Sequence, residues 1–323
     1  MIDKKTIVKN IPLSIDKINY PKLGKKQSGK VRDWYIKNSL RVLIATDRIS
    51  AFDKVLGLVP FRGAVLNKLS EFWFAKTRDI CANHMIGTID PNVMLVSECQ
   101  ALPVEVVVRG YITGVTDTSL WKRYSDGQRV IYGMKFPEGL VKNQKLKKSV
   151  ITPTTRGTGP GGHDEPITAA EIIKKKLVSE KTWRQIEKIA LKLFERGTQI
   201  CEKAGFILAD TKYEFGLDKS GKITLIDEIH TPDSSRLWLK SSYKERVRKG
   251  QEVESYDKEV MRLWFVKQGY RGHGKAPQMP TEVIANIAQR YIQVFEKISG
   301  EKFEMDLSIP QKARILDALS KLI

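Results

Sequence analysis

An α+β fold in two lobes is the architecture this sequence predicts, on three observations. The first hundred residues carry short runs with strand-like alternation, the second half carries capped helix periods, and between those helices lies a charged hairpin at 206–229. The expected division is a smaller β-rich lobe at 1–104 and a larger lobe at 105–323, whose antiparallel strands are packed by helices. A cleft between lobes is the default ligand site.

Taken in order, strands are expected at 29–36 and 40–46, then a helix at about 63–77 whose apolar face is Leu66, Leu69, Phe72 and Trp73. A strand at 104–108 leads into Arg109-Gly110. Residues 132–166 are rich in Gly, Pro and Lys and read as irregular, ending in TPTTRGTGPGGHDEP, long enough for a functional loop. Thr168-Ala-Ala-Glu171 is a capping box that opens a helix, and Gly205 ends the next one, at roughly 181–204. Beyond the hairpin, Ser255 is the expected cap of a helix running through Trp264 to Gly269. Ile284, Ile287, Tyr291 and Ile298 stripe another, and Ser308 caps the last.

Composition narrows the class. The 323 residues are 41% hydrophobic and 29% charged, which is ordinary for a globular protein and enough for a substantial core. No apolar run approaches the roughly 18 residues of a membrane span, and MIDKKTIVKNIPLSIDK lacks a signal peptide's apolar centre, so a cytoplasmic location is expected. Cys81, Cys99 and Cys201 form no C-x-x-C and read as buried thiols. His84, His163, His230 and His273 show no metal-ligand spacing. The net charge of +19 favours anionic partners. Its basic runs, 142–148, 174–176 and 244–249, are dispersed and not interleaved with aromatics, which reads as solvated faces rather than a nucleic-acid module.

The chemistry concentrates in FILADTKYEFGLDKSGKITLIDEIHTPDSSR, residues 206–236. Asp210, Lys212 and Glu214 stand at alternate positions, so on a strand they share one face while Tyr213 and Phe215 take the other. A turn at 216–222 should bring a second strand, 223–229, back alongside. That strand carries Asp227 and Glu228 in an apolar run, a costly placement unless a cation or hydrogen bonds compensate. Carboxylates beside a lysine suit a Mg²⁺-nucleotide site, the oxygens for the metal and the ammonium for phosphate. A lone D-x-K-x-E also describes a salt-bridged surface hairpin; the second acidic pair and the polar TPDSSR favour the functional reading.

Other segments could hold substrates. In Ser28-Gly29-Lys30-Val31-Arg32-Asp33, Gly29 allows close backbone approach and Lys30 and Arg32 share a strand face, although an exposed basic edge strand has the same pattern. Gly157-Thr-Gly-Pro-Gly-Gly162 is not a phosphate loop, because Pro160 removes an amide donor and no Lys-Ser follows; it reads as a mobile loop ending in His163-Asp164-Glu165. Arg109 and Arg236 each follow an apolar or polar run in a way that suits an anion clamp, since guanidinium can bind two oxygens at once, or a carboxylate partner.

Together, SGKVRDWY at 28–35, ATDRISAFD at 45–53, LPVEVVVRGYITG at 102–114, GHDEPI at 162–167, ILADTKYEFG at 207–216 and LIDEIHTPDSSRLW at 225–238 resemble the SAICAR synthetase family of purine biosynthesis. RGHGKAP at 271–277 resembles its longer members. The resemblance implies a two-lobed ATP-grasp-like or kinase-like fold, with the first lobe binding nucleotide. It also implies a ligase that uses ATP and Mg²⁺ to join L-aspartate to carboxyaminoimidazole ribonucleotide (CAIR) through an acyl phosphate, releasing SAICAR, ADP and phosphate. By the same resemblance Gly29, Lys30 and Arg32 cover the ATP phosphates, Leu102 lies near adenine and Lys212 touches phosphate. Glu214 and Asp227 hold metal, with Asp210 beside Lys212 in the catalytic group. Arg109 and Arg236 clamp the CAIR ribose phosphate, and Asp164 is an acidic substrate-binding residue after the mobile loop. After Gly114 the chain departs from the shorter pattern and reads VTDTSLWKRY, which makes Ser119 the candidate phosphate-binding serine. The expected partners are these small molecules alone, without nucleic acid or membrane, in a monomer or small homo-oligomer.

A kinase-like phosphotransferase shares the nucleotide cleft but calls for a catalytic H-R-D-type loop, which is absent from the sequence. A nucleic-acid-binding protein rests on net charge alone.

Overall fold

The computed structural model describes residues 2–157 and 164–323. Of the loop singled out above, residues 158–163, including His163, therefore lie outside the described residues.

Helix α1 (Lys4–Asn10) precedes strands β1 (Gln27–Ser28), β2 (Arg32–Lys37) and β3 (Leu40–Ala45), the hairpin β4 (Arg48–Ala51) and β5 (Lys54–Leu58), helix α2 (Arg62–Thr77), and strands β6 (Met85–Asp90) and β7 (Val93–Ser97). Strands β1, β2, β3, β7 and β6 form an antiparallel sheet in that order. Alternation sends Tyr35, Val42, Ile44 and Val93 to one face and Leu43, Met94 and Val96 to the other, where α2 packs. Helix α2 is buried on more than the expected stripe: Ala64, Val65, Asn67 and Ser70 are also inside, whereas Phe72 is half-buried. At Gly63 a Cβ would lie 2.2 Å from the Ala45 carbonyl oxygen, so only glycine lets the helix start this close to β3.

The long strand β8 (Gln100–Tyr111) begins the second sheet, and the expected division after residue 104 falls within it. Helix α3 (Leu120–Ser125) and the short pair β9 (Val130–Ile131) and β10 (Met134–Lys135) follow, then β11 (Lys145–Ile151) and β12 (Thr154–Thr155). The stretch 132–166, expected to be irregular, thus contains strands. Lysine-rich β11 escapes recognition by hydrophobic period because it is an edge strand with its charges in water. Helices α4 (Ala169–Lys174) and α5 (Glu180–Lys203) precede β13 (Phe206–Leu217), β14 (Ile223–Ile226) and β15 (Ser235–Leu239). The sheet runs β11-β8-β13-β14, with β12 on β8 and β15 on β13.

Local signals explain the helices here. The Thr168 hydroxyl accepts from the Glu171 amide while the Glu171 carboxylate accepts from the Thr168 amide, closing the predicted capping box. Trp183, Ile186, Ala190, Leu193, Phe194, Gly197 and Cys201 recur at helical spacing on α5 and are buried. They cover the face of β13 that carries Tyr213 and Phe215.

After α6 (Lys240–Arg248), helix α7 (Glu259–Lys267) starts later than expected. Ser255 bridges to Trp238 instead of capping it, and the Asp257 carboxylate accepts the Glu259 amide. Helix α8 (Thr281–Ser299) packs Ile287, Tyr291, Val294 and Ile298 into the main core against α2, with Ile284 at its margin. The last helix, α9 (Gln311–Ser320), follows Pro310; the Ser308 hydroxyl donates to Asp306 rather than capping it. Cys81 and Cys201 are buried, and Cys99 is partly exposed. Among the described residues no helix is long and apolar enough to cross a membrane.

Candidate functional site

Register builds the site. Residue 210 pairs with 109, 212 with 107 and 214 with 105 across β13 and β8, so Asp210, Lys212 and Glu214 share a face with Arg109 and Glu105. Lys212 Nζ lies 2.6 Å from Glu105 Oε1 and 2.7 Å from Glu214 Oε1, bridging two facing carboxylates. Burial alone would lower the Lys212 pKa, but Glu214 and Glu105 raise it well above the ordinary lysine value, so the ammonium is permanent. Glu105 is pushed up by burial, which the neighbouring Lys212 ammonium opposes and the like charges of Glu214 and Asp164 reinforce. Among the described residues, the buried Glu214 Oε2 accepts no hydrogen bond, and its one ionic neighbour is the half-exposed Arg156 guanidinium at 3.1 Å.

Strand β14 ends at Ile226, three residues short of the expected strand. Asp227 and His230 take left-handed backbone (φ 67° and 50°), which swings the chain out of the ladder. As a result Asp227 and Glu228 turn toward the first sheet and meet Arg32 on β2. Its guanidinium forks between Asp227 and Glu228, the latter at 3.0 Å. Burial disfavours the Arg32 charge, but Asp227 and Glu228 outweigh it and raise the pKa; reciprocally, burial raises Asp227 while Arg32 and Lys212 bring it below the usual carboxylate range. Four carboxylates, Glu105, Glu214, Asp227 and Glu228, thus gather near Arg32 and Lys212. Among the described residues no three of them converge into a ready metal cage.

The other end of the face has the reverse balance. Asp210 Oδ2 accepts from Arg236 Nη1 at 2.6 Å and Arg109 Nη1 at 3.1 Å, and Arg236 Nη2 reaches Glu259 Oε2 at 3.8 Å. Arg109 also donates to Thr152 Oγ1 (2.8 Å) and to the Thr118 carbonyl (3.1 Å). Ser119 is buried beside them. At Gly114 (φ 95°) a Cβ would lie 2.5 Å from Ser119 Cβ and 3.0 Å from Arg236 Nη2, so a side chain there would collide with both. The Ser119 hydroxyl donates to the Thr116 carbonyl at 2.6 Å.

The sequence-predicted residues therefore fall into groups. Asp210 joins Arg109, Arg236 and Ser119 rather than the metal-type carboxylates. Lys212, Glu214, Arg32 and Asp227 make the acidic end. The Gly29 amide donates to the Arg32 carbonyl and closes the turn before β2, while Lys30, exposed, pairs with Asp53 at 2.5 Å. Leu102 is buried on β8, three residues before Glu105. Asp164 accepts the Gly157 amide and lies in the field of Glu105, at the acidic end. Sequence reasoning passed over Glu105, Glu228's partnership with Arg32, Arg156 and Asp233. Glu105 had a signal: like Asp227, it is a carboxylate in an apolar run. Clefts of about 750 Å³ beside Arg78–Ala82 and about 530 Å³ beside 268–278 lie off this face.

Comparison with known proteins gives a consistent result. The family model SAICAR synthetase matches residues 25–279. A phosphoribosylaminoimidazole-succinocarboxamide synthase of Legionella pneumophila (strain Paris) is 47% identical over 314 residues, 96% of this chain and 99% of that protein. The chloroplastic enzyme of the same name from Arabidopsis thaliana is 45% identical, over 93% of this chain and 72% of its own. The solved SAICAR synthase of Saccharomyces cerevisiae, complexed with SAICAR, superimposes with a TM-score of 0.77 at 32% identity, covering 90% of this chain and all of that one. A type-2 SAICAR synthetase in complex with ADP gives 0.67 at 26% identity, over 87% of this chain and all of its own.

Proposed function

This chain belongs to the SAICAR synthetase family, and we propose how its residues divide that family's reaction. The enzyme is an ATP-dependent ligase of purine biosynthesis that joins L-aspartate to CAIR, giving SAICAR, ADP and phosphate. A CAIR carboxylate oxygen attacks the γ-phosphorus and ADP leaves. The aspartate amine then attacks the acyl carbon of the mixed anhydride, the C–O bond to phosphate breaks, and the amine gives up its proton. Phosphorylation turns a poor leaving oxygen into a good one.

One observation carries the division of labour: the same sheet face is acid-rich at one end and arginine-rich at the other. Carboxylates in excess of cations suit a hard divalent ion, and Glu214 Oε2, buried with no hydrogen-bond donor among the described residues, is an oxygen such an ion would complete. Glu214 and Asp227 are the ligands we assign to Mg²⁺, with Glu105 and Glu228 close by; the ion would supply charge neutralisation at the phosphates. Lys212, released from Glu105 and Glu214, would hold phosphate oxygens, and Arg32, together with Lys30 and the Gly29 turn, would cover them from the first lobe. Leu102 would flank the base. Arg109, Arg236 and Ser119 would take the CAIR phosphate, and Asp210 would hold the two guanidinium groups in place. Asp164 is assigned to substrate from the loop side. A cytoplasmic location and a monomer or small homo-oligomer complete the proposal.

The test is ADP release with ATP, CAIR, aspartate and Mg²⁺ each omitted in turn. Full release is expected only with all four. For Asp227→Asn, the Mg²⁺ concentration giving half-maximal rate should rise by about tenfold, the loss of one charged ligand. An unchanged Mg²⁺ requirement would remove Asp227 from the metal site.

A further inference from the structure

We propose that Tyr291, on α8 and beyond the stretch matched by the family model, is a positioning residue for the ligation: its hydroxyl fixes Asp233 and thereby the turn that aims Arg236 at CAIR. The proposal rests on the reading of Arg236 given above.

Asp233 lies in the turn between the acidic corner at Asp227–Glu228 and β15, three residues before Arg236. Its side chain is almost fully buried, and three elements converge on it. Arg62, at the start of α2, donates from Nη2 to Oδ2 at 2.6 Å and from Nη1 to the Thr46 carbonyl at 3.1 Å. Lys258, just before α7, sits 3.8 Å from Oδ2. Tyr291 Oη donates to Oδ1 at 2.8 Å, and among the described residues no other donor reaches that oxygen. Tyr291 is 1% exposed, and burial, with Asp233 adding, raises its pKa well above the ordinary phenol value, so the hydroxyl remains a donor.

The turn itself is wired to both ends of the site. The Thr231 hydroxyl donates to Glu228 Oε2 at 2.9 Å, the carboxylate oxygen that also faces Arg32, and accepts from the Asp233 and Ser234 amides. The Ser234 carbonyl accepts the Lys212 amide at 2.8 Å, and the Lys258 amide donates to the Pro232 carbonyl. A carboxylate displaced at 233 would therefore move the backbone that sets Arg236. Arg62 alone cannot fix it, since one guanidinium nitrogen on one oxygen leaves the carboxylate free to rotate about that contact; the Tyr291 bond to the other oxygen removes this freedom. Helix α8 thus does more than complete the core.

Tyr291→Phe deletes one oxygen and keeps the packing. Expected is a CAIR KM raised roughly fivefold, the cost of a buried acceptor losing its donor, with the ATP KM unchanged. Equilibrium binding of CAIR without ATP should weaken by the same factor. Val294→Ala, which opens a small cavity on the same helix without touching Asp233, should lower Tm and leave both KM values alone. Equal CAIR KM in Tyr291→Phe and wild type, or a parallel rise in Val294→Ala, overturns the proposal. Arg236→Lys, measured alongside, separates the premise: an unchanged CAIR KM there removes the role of Arg236, whereas a rise there with none in Tyr291→Phe removes Tyr291 alone.

Discussion

The two ends of the β8–β13 face are built from the same kinds of groups and are tuned oppositely. Around Lys212, Glu105 and Glu214 oppose each other across a single ammonium, and Asp227 and Glu228 share Arg32. Around Asp210, two guanidinium groups share a single carboxylate, and Glu259, 3.8 Å from Arg236, is itself paired with Arg262 at 2.9 Å. One end is therefore short of positive charge and the other short of negative charge. A metal–nucleotide at the first and a ribonucleotide phosphate at the second would complete both balances. The protein alone satisfies each end with internal pairs, which ligands bound as proposed would have to displace, placing binding free energy where phosphoryl transfer needs ordered charge.

That contrast can be broken by substitution. The largest effect is expected at the acidic end: Lys212→Ala should lower kcat by roughly 10²-fold or more, comparable to losing a preorganised charge on the transferring group, with CAIR KM little changed. A steady-state rate series decides it, and a pure CAIR KM defect would place Lys212 at the wrong end. Next, Asp210→Asn leaves Arg109 and Arg236 buried without their shared counter-charge. Removing one partner of a buried pair costs about 3–5 kcal/mol, so Tm should fall by many degrees. Inorganic phosphate should restore more of it than it adds to wild type; a variant melting like wild type would show that the arginines are not starved of anion.

The smallest effect is in pH dependence. Asp257 accepts the Leu237 and Glu259 amides behind Arg236, and burial, then Glu259, pushes it up to about 7 from an ordinary 3.8. Because the folded pKa lies above the unfolded one, the folded state binds the extra proton. Its stabilisation is complete below the unfolded value and is lost as pH rises through about 7. The stability difference between wild type and Asp257→Asn, followed by Tm, should therefore move in wild type's disfavour from pH 5 to about 7, by at most about 1.4 kcal/mol per pH unit, and level off above. A flat difference would mean that Asp257 is ionised throughout, leaving the arginine end less positive than described.

Much of this site was legible in the chain. Alternation alone put Asp210, Lys212 and Glu214 on one face, because a strand's side-chain period is two regardless of surroundings. It did not divide them. Asp210 belongs to the arginine end because β8 and β15 place Arg109 and Arg236 opposite it, a matter of register between strands distant in sequence. Asp227 was read as a strand residue from its apolar neighbours, yet it sits in left-handed backbone where the ladder ends. Its meeting with Arg32 follows from that bend.

What the sequence by itself determined is local: the capping box at Thr168, the buried stripe of α5, the charged face of β13 and the family to which six ordered segments point. These depend on backbone periods and short-range hydrogen bonds, which the neighbouring residues dictate. Tertiary structure decided the partners. Lys212 with Glu105, Arg32 with Asp227, and Tyr291 with Asp233 join residues 107, 195 and 58 positions apart. Such pairs exist only once packing has fixed sheet register and helix docking, because the interaction of buried charges depends on position within a few ångströms, which no local period encodes.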